Sequence, residues 1–561
     1  MVVLFRTFSL LIEIVLISHV SLSNCQTINP EVQIQIENFI QNVYLPATNT
    51  SSLGLTIVQN DGEVLFTTGY GYSDQEKLLM NGNETQFLVG SITKSLTSTV
   101  VVKTLSENFT DLGEKVLDTP IRNLIPTSNF TLNDRFRSEQ TTFRDLLAHR
   151  TCLPTNDLAL LAEAFNTSEE IVYHSRYTQE TCGIRTRFVY NNEMYVYAGQ
   201  LIGLIANTSY EQLAQDLMTE IGMLNSTFVK HSDDFSLMPY RAQPYYVISN
   251  VSYPTNTGLV KRVSSTIAGG GLFATPNDMA KYMRFQLNLG IIDGKRIIPE
   301  NVMKWITTPA IVRTPFTFKT SEEGQFISYM GYGLGLNIGS YEGWQHIYHS
   351  GHFAPYSALM SLFPEKNLGI FTGSNQGLTL VDVKVVHHFI YDVLSHVANA
   401  SEKALARLRH EQNLLADGKL GRNDGVTNFL ESVKNKEVKN QDNILGQYGS
   451  GDLGDVEIFE RFNTEKETNG IYLSYGKWAQ AWLNNVGEGI YSLEWDSDIV
   501  EDGYAQGDMS GGETFARIEN GTLEFLSPAG DTLVPLGKFE FGLRFDSLPP
   551  IPWAPDSCGP E

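Results

Sequence analysis

A stretch rich in Lys, Arg, Glu, Asn and Asp, residues 401–442, divides the chain into two parts of unlike character. Upstream, helical and strand patterns mix. Downstream, from Ile444, short strand patterns alternate with Gly-rich turns, at 454–460, 470–475, 490–495, 515–518 and 522–526. Strands so short and so regularly spaced bury apolar surface only by pairing into one small β unit. The chain has 561 residues, more than one compact core usually holds. The expected organisation is a signal peptide over 1–25, a large domain over 26–400, a charged, solvated helical linker over 401–442 and a β-rich domain over 443–561.

Within the large domain, Val32, Ile34, Ile36, Phe39, Ile40 and Val43 recur at helical spacing. Strand patterns follow at 53–59 and 63–70, with Asn60-Asp-Gly62 between them as a hairpin signal. A helical pattern begins at Ser91, and 105–300 mixes helices with long polar loops. Strands are expected again at 332–338, 344–350, 357–363 and 368–372, then an amphipathic helix over 381–397.

The N-terminus carries Arg6 and the apolar run 10–17, interrupted by Glu13, which reads as a secretory signal too short to span a bilayer. Ten Asn-x-Ser/Thr sequons agree with secretion. So do four cysteines, of which Cys152 and Cys182 are the first expected pair; Cys25 pairs with Cys558 only if cleavage leaves it in the mature chain. The net charge of −23 argues against nucleic-acid partners. Solubility is its plain meaning, and attraction for extracellular calcium its sharper one. No ordered cation loop supports the latter: in Asp496-Ser-Asp498-Ile-Val500, Val500 stands where an EF-hand needs an oxygen ligand.

Ser91-Ile-Thr-Lys94 sets a hydroxyl and an amine on one helix face, near the positive end of the helix. Serine is a weak nucleophile and needs an adjacent base. By itself the spacing is weak evidence, because a chain of this size shows one or two such matches by chance.

Context makes it specific. Phe87-Leu-Val-Gly-Ser-Ile-Thr-Lys-Ser-Leu-Thr97 resembles the stretch around the nucleophile of class C β-lactamases and their peptidase and esterase relatives. Phe188-Val-Tyr-Asn-Asn192 resembles the same family's Y-x-N element, and His349-Ser-Gly351 its third element. The stretches 142–154 and 269–280 match in the same order. The resemblance covers roughly residues 30–400 and implies an α/β (α+β) fold of the β-lactamase/transpeptidase type: an antiparallel sheet flanked by helices, with a helical subdomain. It further implies that Ser91 forms an acyl-enzyme and that Lys94 and Tyr190 share the proton work. Asn192 would hold a substrate carbonyl, and His349 would bind or polarise the substrate, a carboxylate being one group it could take. The amides of Ser91 and His352, beside Gly351, would receive the oxyanion. No cofactor is implied. Two cationic neighbours are expected to pull the Tyr190 phenol down.

This chain also departs from the pattern. His349 replaces the usual Lys, so a carboxylate anchor there would depend on pH near 6.5. His352-Phe353 and Pro355-Tyr356 bring bulk beside the oxyanion amides, and Cys152 replaces a usual glycine. His346, His349 and His352 stand three apart on a strand, which points neighbours to opposite faces, so they do not converge on a metal. His149 reads as a structural loop residue and His387-His388 as ordinary helix surface. Two functions follow. One is a secreted, extracellular serine hydrolase of a small-molecule or peptide amide or ester, with no nucleic-acid or membrane partner. The other is a non-catalytic acidic matrix protein on the same fold, similar to secreted animal β-lactamase-like proteins of the gigasin shell-matrix type.

Overall fold

The computed structural model describes residues 28–548 except 60–62, 239, 249–250, 314–317, 321–325, 354, 377–382, 417–443, 465, 488, 496–514, 530–531 and 545–547. The expected signal peptide, the turn at 60–62, Cys25, Cys558, the 496–500 loop and residues 417–442 of the expected linker lie outside the described residues.

The first domain is built on a ten-stranded sheet. Its central path runs Asn337–Tyr341, Trp344–Phe353, Tyr356–Phe363, Leu368–Ser374, Ser52–Gln59 and Glu63–Asp74, each pair antiparallel. Alternation explains the layering. One face of these strands carries Val58, Met360, Leu362 and Phe371 into a core shared with the helix Thr93–Asn108 and the helix Pro276–Leu287. The other carries Leu55, Ile57, Leu368 and Ile370 into a second core under Pro30–Phe39 and Lys384–Leu394. The expected strand at 332–338 is instead the end of Phe326–Tyr332, a turn, and the start of Asn337–Tyr341. Gly335 makes the turn with φ 75°, and a side chain there would strike the Lys94 carbonyl.

The helix Thr93–Asn108 is buried nearly all round. Its small hydroxyls can be buried because they bond back to the helix: Ser95 to the Ile92 carbonyl, Thr97 to Thr93 and Thr99 to Ser95. His387 and His388 are not surface residues. His387 bridges the hydroxyls of Thr372 and Ser361 at 2.9 Å each, and His388 stacks on Tyr341 at 3.9 Å. Both turn to residues of the sheet, and the expected linker begins as the helix Ala400–Ala416, whose Ala404 and Leu408 pack into this same core.

Eight strands of the second part, Gly446–Ser450 to Thr532–Phe541, close into an antiparallel barrel. The barrel does not have its core to itself. Leu158, Ala159, Ala162, Phe165 and Val196 of the first part pack with Val456, Leu473, Tyr475 and Phe525 of the barrel. Cys152 and Cys182 form a disulfide, and Cys152 has φ 60°, a conformation that glycine adopts without strain.

Candidate active site

A tight main-chain seam positions the site. Gly90 has φ 50° and opens the 3-10 turn Gly90–Ile92 that leads into the helix Thr93–Asn108. A Cβ on Gly90 would lie 2.7 Å from the His352 nitrogen, and one on Gly351 would lie 1.8 Å from the Val89 carbonyl oxygen. Only glycine allows strand and turn to meet this closely, and the meeting brings the Ser91 and His352 amides to one seam.

Ser91 Oγ sits 3.0 Å from Lys94 Nζ and 2.8 Å from the hydroxyl of Tyr190. Lys94 Nζ also bonds Asn192 Oδ1 at 2.7 Å and the Gly269 carbonyl at 2.6 Å. Three distant segments thus meet at Ser91 and Lys94: the helix start, residues 190–192 leading into the helix Glu193–Ala206, and the glycine run of 269–271.

Burial dominates the electrostatics. It pushes Lys94 down to about 7, opposed by the negative charges of Asp157 and Glu193. Burial also pushes the Tyr190 phenol above its ordinary value, against the hydrogen bond to Ser91. This corrects the sequence expectation of a lowered Tyr190: desolvation outweighs the nearby cations, so the phenol is a proton donor. His349 is pushed down to about 3, mainly by burial and further by Lys94. Its Nδ1 is 2.5 Å from the Ser350 carbonyl and its Nε2 is 3.0 Å from the Tyr332 hydroxyl. The imidazole is therefore neutral, with Nδ1–H donating and Nε2 accepting. The expected pH-dependent carboxylate anchor at His349 is replaced by a ring whose two nitrogens are both occupied.

Asn192 is equally committed, since its Nδ2 donates to Asp157 Oδ1 at 2.9 Å. Gly351 is buried, and the His352 side chain is exposed. Of the bulky residues beside it, Tyr356 is buried and donates to the Ala242 carbonyl at 2.6 Å, while Phe353 packs on the same cluster. His149 lies beneath the site, its Nδ1 accepting from the Asn191 amide at 3.1 Å and its ring 4.3 Å from that of Tyr190. His346 and His349 lie on opposite sides of the strand, His346 stacking on Phe363 at 4.6 Å. Among the described residues, no group of three or more His, Cys, Asp or Glu is placed to hold a metal.

Sequence reasoning missed Asp157, Glu193 and Tyr332. Asp157 opens the short helix Asp157–Ala162 with nothing in the sequence to mark it, and Tyr332 looked like one residue of a longer strand. Glu193 follows Asn192 directly and carried a signal. It is buried, accepts from the Asn156 amide at 2.8 Å, and burial pushes it up to about 8, with the Asp157 charge adding.

Comparison with known proteins gives the family and the fold. Unguisins hydrolase ungD of Aspergillus violaceofuscus (strain CBS 115571) is 25% identical over 335 residues, 58% of this chain and 59% of that protein. Gigasin-6 of Magallana gigas is 23% identical over 255 residues, 45% of this chain and 82% of that protein. The chain thus spans about three-fifths of the fungal relative's length. The octameric penicillin-binding protein homologue from Pyrococcus abyssi superposes with a TM-score of 0.53 at 20% identity, covering 88% of this chain and 98% of that one, and so shares the fold. The Beta-lactamase family model matches residues 49–395, more than half of the chain, and the protein belongs to that family.

Proposed function

We propose that this protein is a secreted serine hydrolase that cleaves an amide or ester of a small molecule or peptide through an acyl-enzyme on Ser91. The observation that carries it is one hydroxyl within hydrogen-bond reach of two groups suited to opposite proton tasks. A neutral Lys94 keeps two N–H bonds for its two carbonyl acceptors, Asn192 Oδ1 and Gly269, and its lone pair then faces Ser91. It takes the Ser91 proton as Oγ attacks the carbonyl carbon. The oxyanion forms at the seam between the Ser91 and His352 amides, where developing charge is best stabilised. Tyr190, held protonated, gives its proton to the leaving nitrogen or oxygen, and the proton on Lys94 then restores the phenol. Water repeats the attack and releases the acid. The relative named a hydrolase supports this reading.

Labelling with a fluorophosphonate tests it. One adduct per chain is expected, at Ser91, and none in Ser91→Ala. A folded wild type that takes no label overturns it.

Secretion is supported by exposure. The nine described sequon asparagines, at 49, 83, 108, 129, 166, 207, 225, 399 and 520, are all exposed, as an N-glycan requires. The Cys152–Cys182 disulfide suits an oxidising compartment. Material secreted from eukaryotic cells should lose mass on enzymatic deglycosylation, and an unchanged mass would refute this.

The net charge of −23 and the likeness to gigasin-6 favour a second reading, an acidic extracellular-matrix protein that associates with calcium. Saturable calcium binding without hydrolysis of any ester would select it.

A further inference from the structure

We infer that the C-terminal barrel is a positioning unit for the active site: its turn at 476–478 clamps the helix Asp157–Ala162, and that helix holds Asn192 against Lys94. The kinetic consequence rests on the hydrolase reading; the clamp itself does not.

The connection runs through one short helix. At its first residue, Asp157 Oδ1 accepts from Asn192 Nδ2 at 2.9 Å and from Thr155 Oγ1 at 2.8 Å. This fixes the Asn192 amide so that its oxygen faces Lys94. Along its middle, Leu158, Ala159 and Ala162 are part of the barrel's core, not of the sheet's. At its last residue, the Ala162 carbonyl accepts from the amides of Lys477 at 2.9 Å and Trp478 at 3.3 Å. Glu163, buried with φ 51°, then takes Trp478 Nε1 at 2.6 Å and Lys477 Nζ at 2.9 Å. Gly476 has φ 56°, and a Cβ there would lie 2.2 Å from the Ala162 carbonyl oxygen. A second barrel turn repeats the grip on the preceding loop. The Asp452 carbonyl accepts from Asn156 Nδ2 at 3.2 Å, and the Asn156 amide donates to Glu193.

A six-residue helix is too short to hold its own shape in water. Its order comes from what packs on it: the barrel, together with Val196 and the turn Arg262–Thr266 of the first part. Loosening the clamp frees Asp157 and Asn192 and admits water beside Lys94. Hydration removes the burial that holds the lysine down, so the amine protonates more readily and fewer molecules carry a usable lone pair at neutral pH.

The test compares Gly476→Ala with Gly521→Ala in the full-length chain. Gly521 has φ 73° in a hairpin of the same barrel, with only Phe541 Cβ near its own Cβ position, at 3.6 Å. Both substitutions strain the backbone; only the first pushes on the helix. Two readouts are taken: amide hydrogen exchange over 156–163 and 190–196, and the pH profile of fluorophosphonate labelling. Gly476→Ala is expected to raise exchange in both segments. It should also move the acid limb of labelling to higher pH, slowing it about three- to tenfold at pH 6.5. Gly521→Ala should do neither at a comparable loss of Tm. A folded Gly476→Ala with wild-type exchange and wild-type limb overturns the inference. If Gly476→Ala does not fold, Glu163→Gln, which keeps the shape and removes the charge gripping Lys477, is held to the same two outcomes. If wild type takes no label, the hydrolase reading falls, and exchange alone decides the clamp.

Discussion

Replacing Asp157 by Asn tests the electrostatic account of Lys94 directly. Asp157 lies one amide group beyond Lys94, joined through Asn192. Its negative charge raises the lysine against burial, which brings it down to about 7. Asparagine retains an oxygen to accept from Asn192 Nδ2, so geometry is preserved and only charge is lost. Across a separation on the order of 7 Å, at an effective dielectric constant of about 20, the lost attraction is roughly 2 kcal/mol, or somewhat over one pH unit. Solvent near the half-buried Asp157 reduces this, and a shift of about one unit is expected. The sign is fixed. Removing a negative charge makes the ammonium less favourable, so the acid limb of labelling moves to lower pH, and labelling at pH 6 becomes several-fold faster than in wild type. Glu193→Gln is the contrast. Glu193 also raises Lys94 when charged, but it is pushed up to about 8 and is mostly uncharged near the limb, so its replacement should move the limb less than Asp157→Asn does. The assay is the second-order rate of fluorophosphonate labelling by intact mass from pH 5 to 9. An Asp157→Asn limb that stays or moves to higher pH refutes the reasoning.

Tyr190→Phe removes the proton donor from Ser91 and should slow turnover of an ester by about 10²–10⁴-fold with an unchanged Tm, read from initial rates. The His349 ring, held near 3, should show no titration of its Cε1–H resonance between pH 8 and 5 by NMR. Acid should destabilise the fold. Buried His149, His346, His349, His387 and His388 are all held below 6.5, so the unfolded chain binds protons first as pH falls, and stability present above pH 6.5 is lost below it. Glu193 and Asp392, both raised, act in the opposite direction. His388→Phe keeps the stack on Tyr341 and removes one titrating group, so denaturant unfolding at pH 7 and pH 5 should show a smaller acid loss, by about 1.4 kcal/mol per pH unit at most. Replacing both Cys152 and Cys182 by Ser opens a loop of sequence separation 30 and should cost about 3–4 kcal/mol in the same experiment.

Local pattern was enough to read Ser91 and Lys94, because one helical turn joins them. Tyr190, Asn192 and His349 were legible only through family resemblance, since no spacing connects segments about 100 to 250 residues apart. Their partners were not legible at all. That His349 spends its nitrogen on Tyr332, and Asn192 its amide on Asp157, is decided by how distant loops pack. The two helical histidines were misread for a related reason. An amphipathic pattern assigns one face to solvent, but here His387 and His388 turn to Thr372, Ser361 and Tyr341 of the sheet, and the helix Ala400–Ala416, whose charged sequence suggested a linker, joins the same core. In the barrel, Ala479–Gly487 and Thr532–Phe541 escaped notice because polar residues and a proline dilute their alternation.

The glycine-lined meeting of residues 90 and 351 has an evolutionary reading. Two amides whose separation is fixed by backbone alone do not depend on neighbouring side chains for their spacing. The exposed His352 and the residues around it can therefore be exchanged, altering which molecules fit, while the electrostatic cradle for the reaction stays as it is. A lineage built this way can drift in diet without relearning its chemistry.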